Sequence, residues 1–200
     1  MTEVLTFIGV AVVVIVTPGQ DTALTVRNTL AGGRSAGVRT AAGVVCGQAV
    51  WALAASAGIA ALLVASEPAF LALKLAGAAY LVYLGGQALL AAAGRQTQTH
   101  PGGVAASGRE LHQGIVSNLG NPKMAMFFSS LLPQFGDSFL ALLGLGLLFC
   151  TLTLMWLSAY AAALAWAGDV LRGGRVRRAI DAVTGTALVA QGLRLAAEDR

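Results

Sequence analysis

Of the chain's 200 residues, 56% are hydrophobic and only 11% are charged, against about 25% charged in ordinary soluble domains. A soluble domain of this size needs a charged surface that this chain cannot supply, so the solvent it calls for is a bilayer. The net charge of +4 sits in short gaps between apolar runs with few aromatic residues, which excludes a phosphate-binding surface, and with it nucleic acid, and reads instead as a topology signal.

Six apolar stretches follow one another at about 4–26, 40–64, 69–93, 113–133, 139–165 and 176–196. Each is near the ~20 residues that a helix needs to span hydrocarbon. The expected fold is therefore all-α, a polytopic membrane protein of about six transmembrane helices. The first stretch carries Glu3 and no basic residue ahead of it, so it lacks the basic flank of a signal peptide and is expected to be retained. It is interrupted by Thr17-Pro18-Gly19-Gln20-Asp21. The second contains Gly43 and Gly47, the small-xxx-small spacing that lets helix backbones approach closely. The third is followed by the longest polar stretch, a linker at about 95–110 rich in Gly, Gln, Thr and Ser. The fourth is interrupted at Gly120-Asn121-Pro122-Lys123. The sixth contains Asp181, Gln191 and Arg194, so it either spans inside the bundle or lies at the interface. No segment reads as a separate soluble domain.

Arginines mark alternate loops: Arg27, Arg34 and Arg39 after the first helix, Arg95 and Arg109 after the third, and Arg172, Arg175, Arg177 and Arg178 after the fifth. The intervening loops carry mainly Glu67 and Asp137. An excess of basic residues marks the cytoplasmic side, which puts the N-terminus outside.

The two prolines within apolar helices are the most informative positions. Proline removes a backbone donor and clashes with the preceding turn. In a membrane the freed carbonyls must find partners, so such breaks belong inside a bundle or beside a water-filled cavity. Each break has an ionisable neighbour, Asp21 and Lys123, and polar companions, Thr17 and Gln20 at one, Asn118 and Asn121 at the other. A charge within a span usually faces the bundle interior. Thr17 lies ~20 Å into its helix at 1.5 Å per residue, which leaves ~10 Å of a ~30 Å core. Pro122 lies ~13 Å from the same boundary on a helix running the other way. The breaks are thus expected at similar depth. With three spans in each half, the halves (about 1–94 and 111–200) are expected as inverted repeats, each opening with a broken helix, which is a transporter signature.

At these residues the chain resembles the lysine exporter / threonine–homoserine exporter (LysE/RhtB) family of bacterial inner-membrane amino-acid exporters. Thr17-Pro18-Gly19-Gln20-Asp21 is similar to the family's Thr-Pro-Gly-Pro-Asn/Asp motif, with Gln20 where the family often has proline. Asn118-Leu119-Gly120-Asn121-Pro122-Lys123, then Phe127-Phe128 and Pro133-Gln134-Phe135, resembles its fourth-helix signature. Gly77 to Gly85 resembles a third-helix pattern, and Arg178 to Leu195 the last helix. The resemblance implies proton-coupled efflux of an amino acid by a protein that is no enzyme and carries no cofactor and no metal.

An amino acid offers a carboxylate and an ammonium. Lys123, or the helix N-termini after Pro18 and Pro122, suits the carboxylate. Asp21 suits the ammonium and is the proton-coupling candidate. The bland alternative for Asp21 is a helix-end residue paired with Arg27. Gln48 and Tyr80 are candidate cavity-lining residues. One buried acid and one base favour a small neutral substrate. The oligomeric state stays open, with a homodimer as the candidate assembly. Two rival functions remain. A thiol–disulfide carrier would use Cys46 and Cys150, each 28 residues beyond its half's proline, although lone cysteines in apolar helices are usually small hydrophobes. An exporter of metal ions or another small solute would need a richer ligand cluster.

Overall fold

Proline and glycine decide where the helices stop. A computed structural model describes residues 2–58, 66–93, 104–167 and 174–197, and every regular element among them is a helix. α1 covers Thr2–Val16 and α2 covers Gln20–Ser56; α3 is Glu67–Ala92 and α4 is Val104–Leu119. α5, Pro122–Met126, runs on into a π turn, Phe127–Leu131, and a 3-10 turn, Leu132–Phe135. α6 is Phe139–Trp166 and α7 is Gly174–Ala197.

α2 is two arms rather than one rod. Gly33 sits at φ 73° in its middle, a left-handed conformation that only glycine adopts without strain. Asn28 Nδ2 reaches Thr40 Oγ1 at 2.9 Å, whereas a straight helix would hold residues this far apart by ~18 Å. The chain therefore folds back at Gly33, and the arms 20–32 and 34–56 lie side by side. This corrects two expected boundaries. The first helix continues past residue 26, and the second begins at 34 rather than 40. Arg27, Arg34 and Arg39 are helical, Arg27 is buried, and one glycine does the work expected of a loop. The expected linker is also shortened, because α4 begins at Val104 and already carries Arg109; residues 94–103 lie outside the described residues. Likewise α7 already contains Arg175, Arg177 and Arg178, while Arg172 lies outside the described residues.

α2 packs against α4 and α6, and α3 packs against α7. The crossings are made by small residues. A methyl group on Gly43 would run into the Leu111 carbonyl, and one on Gly114 into Thr40 and Val44. Gly47 leaves room for Asn118, whose Cβ would lie 2.9 Å from an added methyl. The pair Gly43 and Gly47 thus does what its spacing suggests, bringing α2 backbone to backbone with α4. Gly85 and Gly185 do the same for α3 and α7.

Phe7, Trp51, Met124, Phe127, Phe128, Leu132 and Phe149 form the main apolar core, between α1, the second arm of α2, α5 with its π turn, and α6. The outward faces are apolar too: Leu140 is 77% and Trp166 91% exposed. Faces of this kind suit lipid, not water. α6 and α2 are long and apolar enough to cross a membrane, and Glu3–Val16 is a shorter apolar helix.

Candidate functional site between two broken helices

α1 ends because Pro18 has no N–H to give the Val14 carbonyl. The last backbone bonds are Thr17 N–H to Val13 O at 3.1 Å and then, beyond the break, Ala23 N–H to Gly19 O at 3.0 Å. The Val14 and Thr17 carbonyls are left without helical partners. Lys123 supplies one: its Nζ donates to Val14 O at 3.1 Å and to Thr17 O at 3.2 Å. Gly19 makes that approach possible, since a side chain there would meet Lys123 Nζ at 3.3 Å.

The second break is built in the same way. Pro122 cannot donate to Asn118 O, and Asn121 N–H takes that carbonyl instead at 3.0 Å. The Ser117 carbonyl is thereby left over, and Gln20 Nε2 donates to it. Asn121 caps α5, its Oδ1 accepting from Lys123 N–H at 3.1 Å. Each break is therefore completed by a long side chain from the other, Lys123 in one direction and Gln20 in the other. Gln20, the departure from the family pattern, contributes the hydrogen-bonding group that proline would lack.

Asp21 stands in the first turn of α2, where the positive end of the helix dipole favours a carboxylate. Its Oδ2 accepts from Asn118 Nδ2 at 2.9 Å and from Asn121 Nδ2 at 3.0 Å, and its Oδ1 lies 3.4 Å from Ser117 Oγ. No direct ion pair joins Asp21 to Lys123. Both line one cavity with Ile15, Gln48, Thr153 and Phe149. The cavity holds about 20 Å³, room for one water at the ~10–15 Å³ a water needs. A small-molecule site is typically ~300–1,000 Å³, so the cavity as it stands is too small for an amino acid. Two polar atoms in this wall have no partner, Gln48 Oε1 and Thr153 Oγ1. Gln48 donates its amide to Met124 Sδ at 3.7 Å. Gly19, Thr22, Met124 and Leu157 complete the wall beside Phe149 and Ile15, so one further polar residue, Thr22, stands among mainly apolar ones.

The candidate residues thus converge unevenly. Gly19, Asp21, Gln48 and Lys123 line the cavity, while Gln20, Asn118 and Asn121 hold its framework. Thr17 contributes its carbonyl, but its hydroxyl turns back to Val13 O at 2.7 Å. Pro18 is exposed and Pro122 half-buried, and they act by breaking the backbone. The Tyr80 side chain lies outside the described residues, as does that of Asp181. Thr153 also lines the cavity, and sequence reasoning missed it. Thr151 bonds back to Leu147 O at 2.9 Å as threonines in helices do, and nothing in the sequence tells the two apart. Of the cysteines, Cys46 is exposed and Cys150 buried, with its Sγ 4.0 Å from Val45 O. Among the described residues no three His, Cys, Asp or Glu side chains gather as a metal-holding group.

Toward the Gly33 turn a polar layer closes the bundle. Asn28 Nδ2 also donates to Gln113 Oε1 at 2.9 Å, and Arg39 pairs with Glu110 at 3.6 Å.

Irregular backbone at paired helix breaks, an apolar exterior and a small closed cavity holding one acid and one base define a membrane translocator. The family model for LysE type translocators matches residues 12–199, and the chain belongs to that family. It is 27% identical to the uncharacterized membrane protein YrhP of Bacillus subtilis, over 97% of this chain and 98% of that one. It is 35% identical to the uncharacterized membrane protein PA4757 of Pseudomonas aeruginosa, over 80% and 76%. It is also 33% identical to a leucine efflux protein of an Enterobacter species, over 66% of this chain and 63% of that protein. No solved structure matches.

Proposed function

We propose that the protein exports small neutral amino acids from the cytoplasm, aliphatic ones above all, in exchange for inward movement of protons. One observation carries the reading: a carboxylate and an ammonium meet an apolar wall at the junction of two broken helices. In the open site Asp21 receives the substrate ammonium, helped by Gln48 Oε1 and Thr153 Oγ1. Lys123, released from the Val14 and Thr17 carbonyls, receives the carboxylate. Ile15, Met124, Phe149 and Leu157 take the side chain, and an aliphatic chain suits them. Relatives named leucine efflux protein support that preference.

A proton reaching Asp21 from outside neutralises it and releases the ammonium; loss of that proton inside restores the site. The chain acts as two three-helix halves of opposite orientation, about 1–94 and 111–200, with the N-terminus outside and the membrane the bacterial inner membrane. Rocking of one half against the other opens the site to each side in turn. In inverted vesicles with an imposed proton gradient, a labelled amino-acid panel should show gradient-dependent movement of neutral aliphatic members, lost in Lys123→Ala. Movement of no amino acid by well-inserted protein would sink the reading.

A further inference from the structure

A second cavity, of about 320 Å³, lies between the C-terminal end of α2 and the start of α6, lined by Ser56, Phe128, Ser129, Pro133, Asp137 and Leu142 among others. Its rim at Pro133 and Asp137 is exposed. Phe128 lines this vestibule, and Phe149 lines the small cavity at Asp21. The two rings are fully buried and touch edge to face, centroids 5.6 Å apart. A pair of aromatic rings is therefore the wall between vestibule and site. Gly146 packs tightly beside it: a methyl group there would stand 2.6 Å from Ala52 Cβ and 3.7 Å from the edge of the Phe128 ring.

The backbone beneath Phe128 is irregular. It belongs to the π turn Phe127–Leu131, in which the Leu132 N–H bonds the Phe127 carbonyl five residues back. Such turns are rare, concentrate at functional sites, and lie one hydrogen-bond register from an α-helix. A shift of that register re-aims Phe128 while the segment stays helical. Phe127 is stacked on Phe149 at 4.3 Å, so Phe149 has a second ring against it besides Phe128.

We infer that Phe128, closing edge-on against Phe149 and carried by the π turn, is the gate through which substrate passes from the Asp21 site to the vestibule. The role of the gate in amino-acid release rests on the exporter reading; the partition itself does not. The test uses Thr153→Cys as a reporter inside the small cavity, with Cys46→Ala and Cys150→Ala removing the native thiols. A small membrane-impermeant thiol reagent is added to either face of sealed vesicles without substrate. Adding Phe128→Ala should speed labelling at least ten-fold, from one face only, that of the vestibule. Phe7→Ala, which removes a ring from the same core but lines neither cavity, should leave the rate unchanged. Unchanged labelling in Phe128→Ala, equal acceleration in Phe7→Ala, or acceleration from both faces would overturn the gate. Phe128→Leu, which keeps more of the packing, gives the same two-way reading if Phe128→Ala inserts poorly. Because labelling needs no transport, failure of the gate and failure of the exporter reading are separate results.

Discussion

Replacing Asp21 by asparagine removes one charge and keeps the shape of the side chain. An amide oxygen in the Oδ2 position still accepts from Asn118 at 2.9 Å and Asn121 at 3.0 Å. The amide nitrogen then faces Ser117 Oγ, which can accept as well as donate. What is lost is charge assistance, about 1 kcal/mol for each of the two shorter bonds. What is gained is relief from burying a charge without a direct ion pair, a penalty of several kcal/mol in an idealised interior. The terms oppose, so Asp21→Asn should unfold in detergent within roughly 1–2 kcal/mol of wild type. Asp21→Ala instead leaves three donors without an acceptor. At ~0.6 to ~1.7 kcal/mol for each hydrogen bond within a membrane, it should cost about 2–5 kcal/mol. Transport separates from stability: efflux from preloaded vesicles should fall at least ten-fold in both variants. Asparagine transporting like wild type, or unfolding as readily as alanine, would refute the reasoning.

Lys123→Met removes the partner of the Val14 and Thr17 carbonyls and should destabilise the protein by ~1–3 kcal/mol, read by thermal unfolding, while abolishing efflux. Leu157→Phe fills the apolar wall and should shift relative efflux from leucine toward alanine at least about ten-fold, the scale of small changes in an apolar pocket. Gly114→Ala drives a methyl group into the backbone of Thr40 and Val44 and should cost ~1–3 kcal/mol. Gly144→Ala, with nothing within 4 Å of the new methyl, should be neutral or stabilising by ~0.5–1 kcal/mol; equal losses at both glycines would contradict the crossing argument.

Much of this site was legible in the sequence because membrane physics leaves few options for a proline. Pro18 and Pro122 free carbonyls that must be satisfied, and the neighbouring charges had to be the partners or lie near them. The sequence did not say which group satisfied which. By sequence Lys123 is a candidate partner for the substrate carboxylate, and in the structure it completes α1. Gln20 stands out in the sequence only as a hydrogen-bonding group where the family often has proline, and in the structure it is the bridge to Ser117. Helix boundaries were less legible. Arg27 and Arg39 looked like loop residues by charge alone, but arginine is a good helix former, and a turn at Gly33 suffices to reverse the chain. Gln48 was accessible to reasoning as a lone amide in an apolar helix. Thr153 and the π turn at Phe128 were not, since hydroxyls and aromatics in such helices carry no mark of the face they occupy.

The measurement that bears most directly on the central claim, an amino acid held between Asp21 and Lys123, is substrate-induced stabilisation of the purified protein. Leucine at a hundred times its dissociation constant should stabilise wild type by about 2.7 kcal/mol, seen as a rise in unfolding temperature, and should leave Asp21→Asn unmoved. An equal rise in both would place the substrate somewhere else and contradict the account.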